Sequence, residues 1–188
     1  MAPPTAAERG REVRTRLLAA AGGLIGELGW TAVSTRIVAE RAGVRPGLVH
    51  YHFESLQDLL RKAALDVMRP LLDGATTAFE AAPTPADGAE ALLASLDELS
   101  GDTPEALLFT EAFMTATRDK ELRAAMAELV AAFHTSVSTA LARAGHKNPD
   151  AAATLLMTAL DGYVLHKSLN PALSTASIAP LIREFMTP

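Results

Sequence analysis

No cysteine occurs among the 188 residues, so disulfides and thiolate chemistry are excluded. Aromatic residues are few, at 5%, and alternating runs rich in Val, Ile, Tyr and Thr are almost missing, which leaves little from which to build a sheet. Also absent are a Gly-rich phosphate loop behind a strand, a metal-spaced Cys and His set, and a Gly-x-Ser-x-Gly turn. Without them the chain offers no catalytic constellation and calls for no cofactor, and a non-enzyme is expected. Arg14, Arg16 and Glu27 break up the N-terminal apolar stretch before it resembles a signal peptide, and no later segment reads as apolar enough to span a bilayer. A cytoplasmic protein without a membrane partner is the expectation.

What is present is a folding chain with two characters. Hydrophobic residues at 49% and charged residues at 21% place it with globular proteins, and the length suits one domain, or one plus a small module. The net charge of -5 is unevenly spread. Residues 1–62 hold nine Lys and Arg against six Asp and Glu, whereas residues 63–188 hold eight against sixteen. A basic head over 1–62 on an acidic body over 63–188 is what a binding head with a different body shows, a chance fluctuation of charge being the alternative. Within the head, 1–10 reads as a flexible arm, basic through Arg9 and the adjoining Arg11, the alternative being a solvated disordered end.

Apolar residues recur at helical spacing nearly throughout, so the fold class is all-α. Val13, Leu17, Ala21, Leu24 and Leu28 line one face of a first helix that Gly29 can end. Ser34 caps a short second helix through Ile37, Val38 and Ala42, which Gly43 stops. Pro46 suits the first turn of a third helix holding Leu48, Val49 and Phe53, and Ser55 with Asp58 resembles a capping box opening a long fourth. Pro70 predicts a kink or break near Arg69, and Ala82 to Gly88 reads as the clearest linker. Four further helices are expected over Leu92 to Leu99, Pro104 to Ala116, Leu122 to Ala144 and Pro149 to Leu169, with a short last one near Ile178 to Phe185. Asp102 or Thr103 and then Asn148 are the expected caps before Pro104 and Pro149, and Gly145 is an expected stop.

Four ring side chains stand together in HYHF, at His50 to Phe53. Two short helices joined at Gly43, the second exposing a polar aromatic surface, fit a helix-turn-helix whose second helix enters the major groove. Val49 and Phe53 are four apart and turn inward, while His50 and Tyr51 project outward with Arg45 and Gly47, and His52 borders them. Tyr and His donate hydrogen bonds to phosphate and offer a flat face to sugar or base, and Gly47 lets backbone approach. A helical metal-dependent enzyme using His50, His52 and the body's carboxylates is the rival from another class. Residues two apart point to different helix faces, which makes them a poor chelate.

With Gly29 and Trp30, STRIVAERAGV over Ser34 to Val44 and GLVHYHFESLQDLL over Gly47 to Leu60, the head resembles the tetracycline-repressor (TetR) family of regulators over about fifty residues. The family pattern departs at Arg45, where a Ser or Thr cap is frequent, at His50 in place of Tyr, and at Leu56 in place of a Lys that commonly contacts phosphate. The resemblance implies that Thr35 contacts phosphate and Arg36 points toward a base edge, with Arg45, Gly47, His50, Tyr51 and His52 forming the recognition surface. It further implies a homodimer on a near-palindromic double-stranded DNA operator, a repressor in most cases and an activator or effector-independent regulator as the alternative.

For the body, the resemblance implies an apolar effector cavity in a helical ligand-binding and dimerisation domain. Phe109, Phe113, Met114, Met126, Phe133, Met157 and Tyr163 lie on helical stripes that could line it for a small hydrophobic or amphipathic molecule, ordinary core being the alternative for each. His134, Asp161, Tyr163 and His166 are the candidate polar hooks, because buried polar groups must find partners, with protein or water as the alternative partner of His134 and His166. Leu155, Leu156, Ala159 and Leu160, with Gly162 allowing close approach, give the helix after Pro149 a stripe that can pair with its twin and with the last helix.

Overall fold

The computed structural model describes residues 5–98 and 103–188. The expected helix end at Leu99, the candidate cap Asp102 and the first four residues of the expected arm lie outside the described residues. Among the described residues the chain forms α1 (Ala6–Leu28), a 3-10 turn (Trp30–Ala32), α2 (Thr35–Arg41), α3 (Gly47–His52), α4 (Leu56–Ala81), α5 (Pro85–Glu98), α6 (Pro104–Ala116), α7 (Lys120–Arg143), α8 (Pro149–Leu169), a second 3-10 turn (Thr175–Ser177) and α9 (Ala179–Met186), with no strand. The all-α class stands.

The helices group into two units that are not contiguous in sequence: residues up to Met68 with Leu107–Arg123, and Arg69–Ala106 with Ala124–Pro188. A boundary at 62 was the expectation; the division falls six residues later inside α4, and most of α6 belongs with the head. In the first unit, Gly22 of α1 is the close approach. A Cβ there would stand 3.0 Å from a methyl of Val67 and 3.9 Å from Leu108 of α6. Leu17, Leu24 and Ile25 of α1 are fully buried with Leu59 and Leu60 of α4. Leu28, placed on that face by the spacing, is exposed instead, because α1 ends there and Gly29 turns the chain with φ 81°.

Two glycine stops are closed by the same bonds. After α2, the Gly43 N–H donates to the Glu40 carbonyl at 3.1 Å and the Val44 N–H to Ala39 at 2.9 Å, with Gly43 at φ 65°. After α7, the Gly145 N–H donates to Ala142 at 3.1 Å and the His146 N–H to Leu141 at 3.0 Å, with Gly145 at φ 85°. Residues with a Cβ resist that left-handed turn, which is why glycine marks both. Thr103 caps α6 through the Ala106 N–H at 3.3 Å, whereas Asn148 occupies the position before α8 without a side-chain cap bond.

Several local expectations fail for physical reasons. Pro70 does not interrupt α4, which runs from Leu56 to Ala81. Ser55 caps the Asp58 N–H at 3.0 Å, but Asp58 reaches the Glu54 N–H at 3.3 Å instead of completing the box at Ser55. The supposed linker is half helix: the Thr84 hydroxyl accepts from the Asp87 N–H at 3.2 Å and donates to its carboxylate at 2.8 Å, which with Pro85 starts α5. By length and composition α7 is apolar enough to cross a membrane, at a mean hydropathy of 1.2, where none was expected. Its alanines raise that value, while Met126, Leu129, Phe133, Val137 and Leu141 form an ordinary buried stripe.

The second unit closes around Phe79, Leu93, Phe133, Val137, Leu156 and Met186, with α5 packed on α8 and α9. Asp97 of α5 ties this unit together. Its carboxylate accepts from the Thr175 N–H at 2.9 Å, the Thr175 hydroxyl at 2.5 Å, the Ser174 hydroxyl at 3.2 Å and the Tyr163 hydroxyl, and Lys167 Nζ lies 3.5 Å away. The Thr175 hydroxyl and then the Tyr163 hydroxyl hold the Asp97 carboxyl well below the usual carboxylate range. Stabilisation from a depressed carboxyl is complete above its unfolded value, near pH 4, and is lost as pH falls through the lower folded value. Thermal stability is therefore expected to drop on acidification below about pH 4. Asp97→Asn should flatten that acid limb, and an acid limb identical to wild type would refute the assignment.

Candidate nucleic-acid interface

The interface begins with the turn between α2 and α3. Ser34 is extended, at φ -127° and ψ 156°, and its hydroxyl accepts from the Ile37 N–H at 3.4 Å, which starts α2 one residue before Arg36. The glycine closure at Gly43 then redirects the chain. Pro46 is already helical, at φ -52° and ψ -34°, and accepts from the Val49 N–H at 3.1 Å, so α3 starts without a side-chain cap. Val38 and Ala39 of α2, Val49 of α3 and Phe53 are buried, which seats both helices on the head.

With those side chains inward, Arg36, Arg45, Gly47 and His50 are exposed and Thr35 and His52 are half-buried. Tyr51 is 79% exposed, an unusual position for a ring unless something covers it. Its ring meets that of His52 edge to face, with centroids 5.0 Å apart. The seven residues named for DNA thus fall on two adjoining short helices and the turn between them. Such a surface can donate from guanidinium, phenol and imidazole groups to phosphates and base edges.

Sequence reasoning missed what holds this surface in place. The Trp30 backbone N–H donates to Glu111 of α6 at 2.8 Å, and its indole N–H donates to Gln57 at 3.0 Å. Arg61 pairs with Asp119 at 2.9 Å and with Glu121 at 2.8 Å, while Asp119 also caps the Glu121 and Leu122 N–H groups at 3.0 Å. Arg41 forms a two-pronged pair with Glu27 at 2.8 and 2.7 Å, and the hydrogen bond from Arg41 lowers the Glu27 carboxyl. Apart from the local caps at Asp119, these partners lie 14 to 81 residues apart, too far for any local signal to reveal them. The expected flexible arm is helical from Ala6, because Thr5 and Glu8 form a reciprocal cap at 2.6 and 3.2 Å.

The residues named for an effector are not gathered into one described cavity. Phe109, Phe113 and Met114 belong to the first unit, and Phe113 and Met114 are exposed. In the second unit Met126 is buried, Met157 packs against the core, and Tyr163 is spent on Asp97. His134 meets the Thr154 hydroxyl at 3.0 Å, so protein satisfies it. His166 is exposed, as is Asp161, whose carboxyl partial desolvation nonetheless raises. A groove does lie between α4 and α7 of this unit, lined by Arg69, Leu72, Asp73, Glu128, Leu129 and Phe133, of which only Phe133 was anticipated.

The dimer stripe also needs correction. Leu156 is fully buried in its own unit and so leaves the stripe, while Ala159 and Leu160 are partly buried against the same core. Nothing within 4 Å faces Gly162. Leu155 stays exposed, joined by Leu165 and Leu169 of α8 and by Leu181 and Phe185 of α9.

Residues 17–63 match the family described as bacterial regulatory proteins, tetR family, and residues 83–188 match the one described as tetracyclin repressor-like, C-terminal domain. An uncharacterized HTH-type transcriptional regulator of Mycobacterium tuberculosis is 28% identical over 136 residues, 72% of this chain and 69% of its own. The crystal structure of a transcriptional regulator from Streptomyces coelicolor A3(2) superposes with a TM-score of 0.77 at 26% identity, covering 94% of this chain and 99% of that one. Two more distant structures share the fold and carry ligands. A regulator from Saccharomonospora viridis in complex with choline has a TM-score of 0.73 at 22% identity, covering 94% and 96%. FadR from Bacillus subtilis in complex with stearoyl-CoA has a TM-score of 0.73 at 16% identity, covering 92% and 97%.

Proposed function

We propose, for a chain that belongs to the tetracycline-repressor family of transcriptional regulators and carries its DNA-binding helix-turn-helix, that it is a ligand-responsive repressor acting as a homodimer on a near-palindromic operator. The observation that carries this reading is the α2–α3 surface, where Arg36, Arg45, Gly47, His50 and Tyr51 are all exposed over a buried Val38, Ala39, Val49 and Phe53. Arg36 at the start of α2 suits both acceptors of a guanine, whereas Tyr51 suits phosphate and sugar. A cytoplasmic site of action follows from the role.

The expected result is a contrast between two variants. Tyr51→Ala should weaken binding to every duplex, and Arg36→Ala should lose about 1–3 kcal/mol chiefly on the preferred sequence and relax one base position. Salt-titrated binding to the DNA upstream of the chain's own gene, with a scrambled duplex beside it, checks this. Sequence preference preserved in Arg36→Ala would overturn its base contact.

For the body we read the exposed leucines of α8 with Leu181 and Phe185 of α9 as the dimer face. Relatives of this fold hold ligands as different as choline and stearoyl-CoA, which supports a small effector here without naming it. The charged rim and apolar floor of the α4–α7 groove suit an amphipathic molecule. Control of DNA binding is then linkage: the effector binds the DNA-incompetent state more tightly and shifts the population toward it. Such a molecule raises the melting temperature and lowers operator affinity together.

A further inference from the structure

We infer that Arg14 of α1, outside the helix-turn-helix, is a DNA phosphate contact that grips the strand flanking the C-terminal end of α3. The inference rests on α3 being the helix that enters the groove. Gly10 and Arg14 lie one turn apart on one face of α1. A Cβ at Gly10 would stand 3.9 Å from Cε1 of His52, and the Arg14 guanidinium carbon lies 5.1 Å from the ring centroid of Phe53, the residue that ends α3. That face of α1 therefore runs beside the end of the recognition helix.

Of the two cations over the Phe53 ring, charge accounting singles out Arg14. Lys62 also approaches the Phe53 ring, at 6.0 Å, but Asp58 holds it at 2.7 Å. Arg41 and Arg61 of the same unit are held by Glu27, Asp119 and Glu121. Among the described residues no carboxylate pairs with Arg14, which is exposed and stacked on an aromatic face. The capped start of α1 at Thr5 makes its support a rigid helix and not a loose arm. A helix about 10–12 Å across in a groove about 12 Å wide brings both phosphate strands to its flanks, where a neighbouring element meets them. An unpaired guanidinium held in one place loses little freedom on binding phosphate and releases a counterion.

The test uses the full chain and two probes, a random-sequence DNA duplex and a duplex enriched from a random pool by the wild-type protein, across a salt series. Arg14→Met keeps an unbranched stem over Phe53 and removes the charge. It should lose about tenfold in affinity near ~50 mM salt on both duplexes and flatten the slope of log affinity against log salt by about 0.9 per engaged head. Its melting temperature should match wild type, and Arg14→Lys should restore the slope. An unchanged slope in Arg14→Met overturns the inference, whatever happens to affinity or melting. So does a loss confined to the enriched duplex, which would mean base readout. If Arg36→Ala and Tyr51→Ala also leave binding intact, the groove-helix reading falls with it; if those two bind weakly while Arg14→Met does not, only Arg14 is misassigned.

Discussion

A Leu156→Arg variant is expected to lose the folded second unit, not to release an intact monomer. Leu156 is 0% exposed and sits among Phe79, Leu93, Phe133, Val137 and Met186. Removing a buried leucine costs roughly 2–5 kcal/mol, and a buried charge without a partner adds several more. That total is comparable to the whole stability of an ordinary domain, about 5–15 kcal/mol. Circular dichroism and urea titration should show a collapsed transition for the second unit, Arg69–Ala106 with Ala124–Pro188. Leu165→Arg on the same helix should behave in the opposite way, because Leu165 is exposed. It should stay folded, losing only the stabilisation that dimerisation itself supplies, and sediment as a monomer if the α8 face is the dimer seam. A Leu156→Arg protein that melts like wild type would remove Leu156 from the core, and a Leu165→Arg protein that stays dimeric would move the seam elsewhere.

The second large effect concerns two glycines in helices that look interchangeable in sequence. At Gly88 of α5 a Cβ would meet the Phe79 ring at 2.8 Å and the Phe79 carbonyl oxygen at 3.0 Å. The oxygen belongs to backbone and cannot swing aside, so Gly88→Val is expected to cost about 2–3 kcal/mol by overpacking. At Gly74 of α4 nothing lies within 4 Å of the added carbon. Gly74→Ala should therefore gain up to about 1 kcal/mol, the usual helix preference of alanine over glycine. Urea midpoints of the two variants decide it. Equal shifts of one sign would mean that the close approach of α5 to Phe79 is not what constrains Gly88.

These contrasts mark the division between local and long-range information. Much of what a few neighbouring residues carry was legible, although the break expected at Pro70 and the linker expected over Ala82 to Gly88 were not found. The all-α class came from helical periodicity, the ends of α2 and α7 from Gly43 and Gly145, the limits of α8 from Pro149 and the apolar run to Leu169, and the helix-turn-helix from inward Val49 and Phe53 beside outward His50 and Tyr51. Even the missed start of α5 was written locally, in Thr84, Pro85 and Asp87. Hydrogen-bond closure and side-chain period act over one or two turns, so a single chain contains them whole.

What tertiary structure alone decided is which of several equally apolar faces turns inward and which distant polar group completes each site. Leu155 and Leu156 are indistinguishable by composition, yet one is exposed and the other belongs to the core. Tyr163 reads as a ligand hook until Asp97, 66 residues away, takes its hydroxyl. Arg14 reads only as a charge that breaks up the N-terminal apolar stretch until the packing of α1 sets it on Phe53 at the edge of α3. Burial and charge pairing depend on partners brought together by the packing of whole helices, and the energies that select among those packings are sums over many weak contacts that no short stretch of sequence contains.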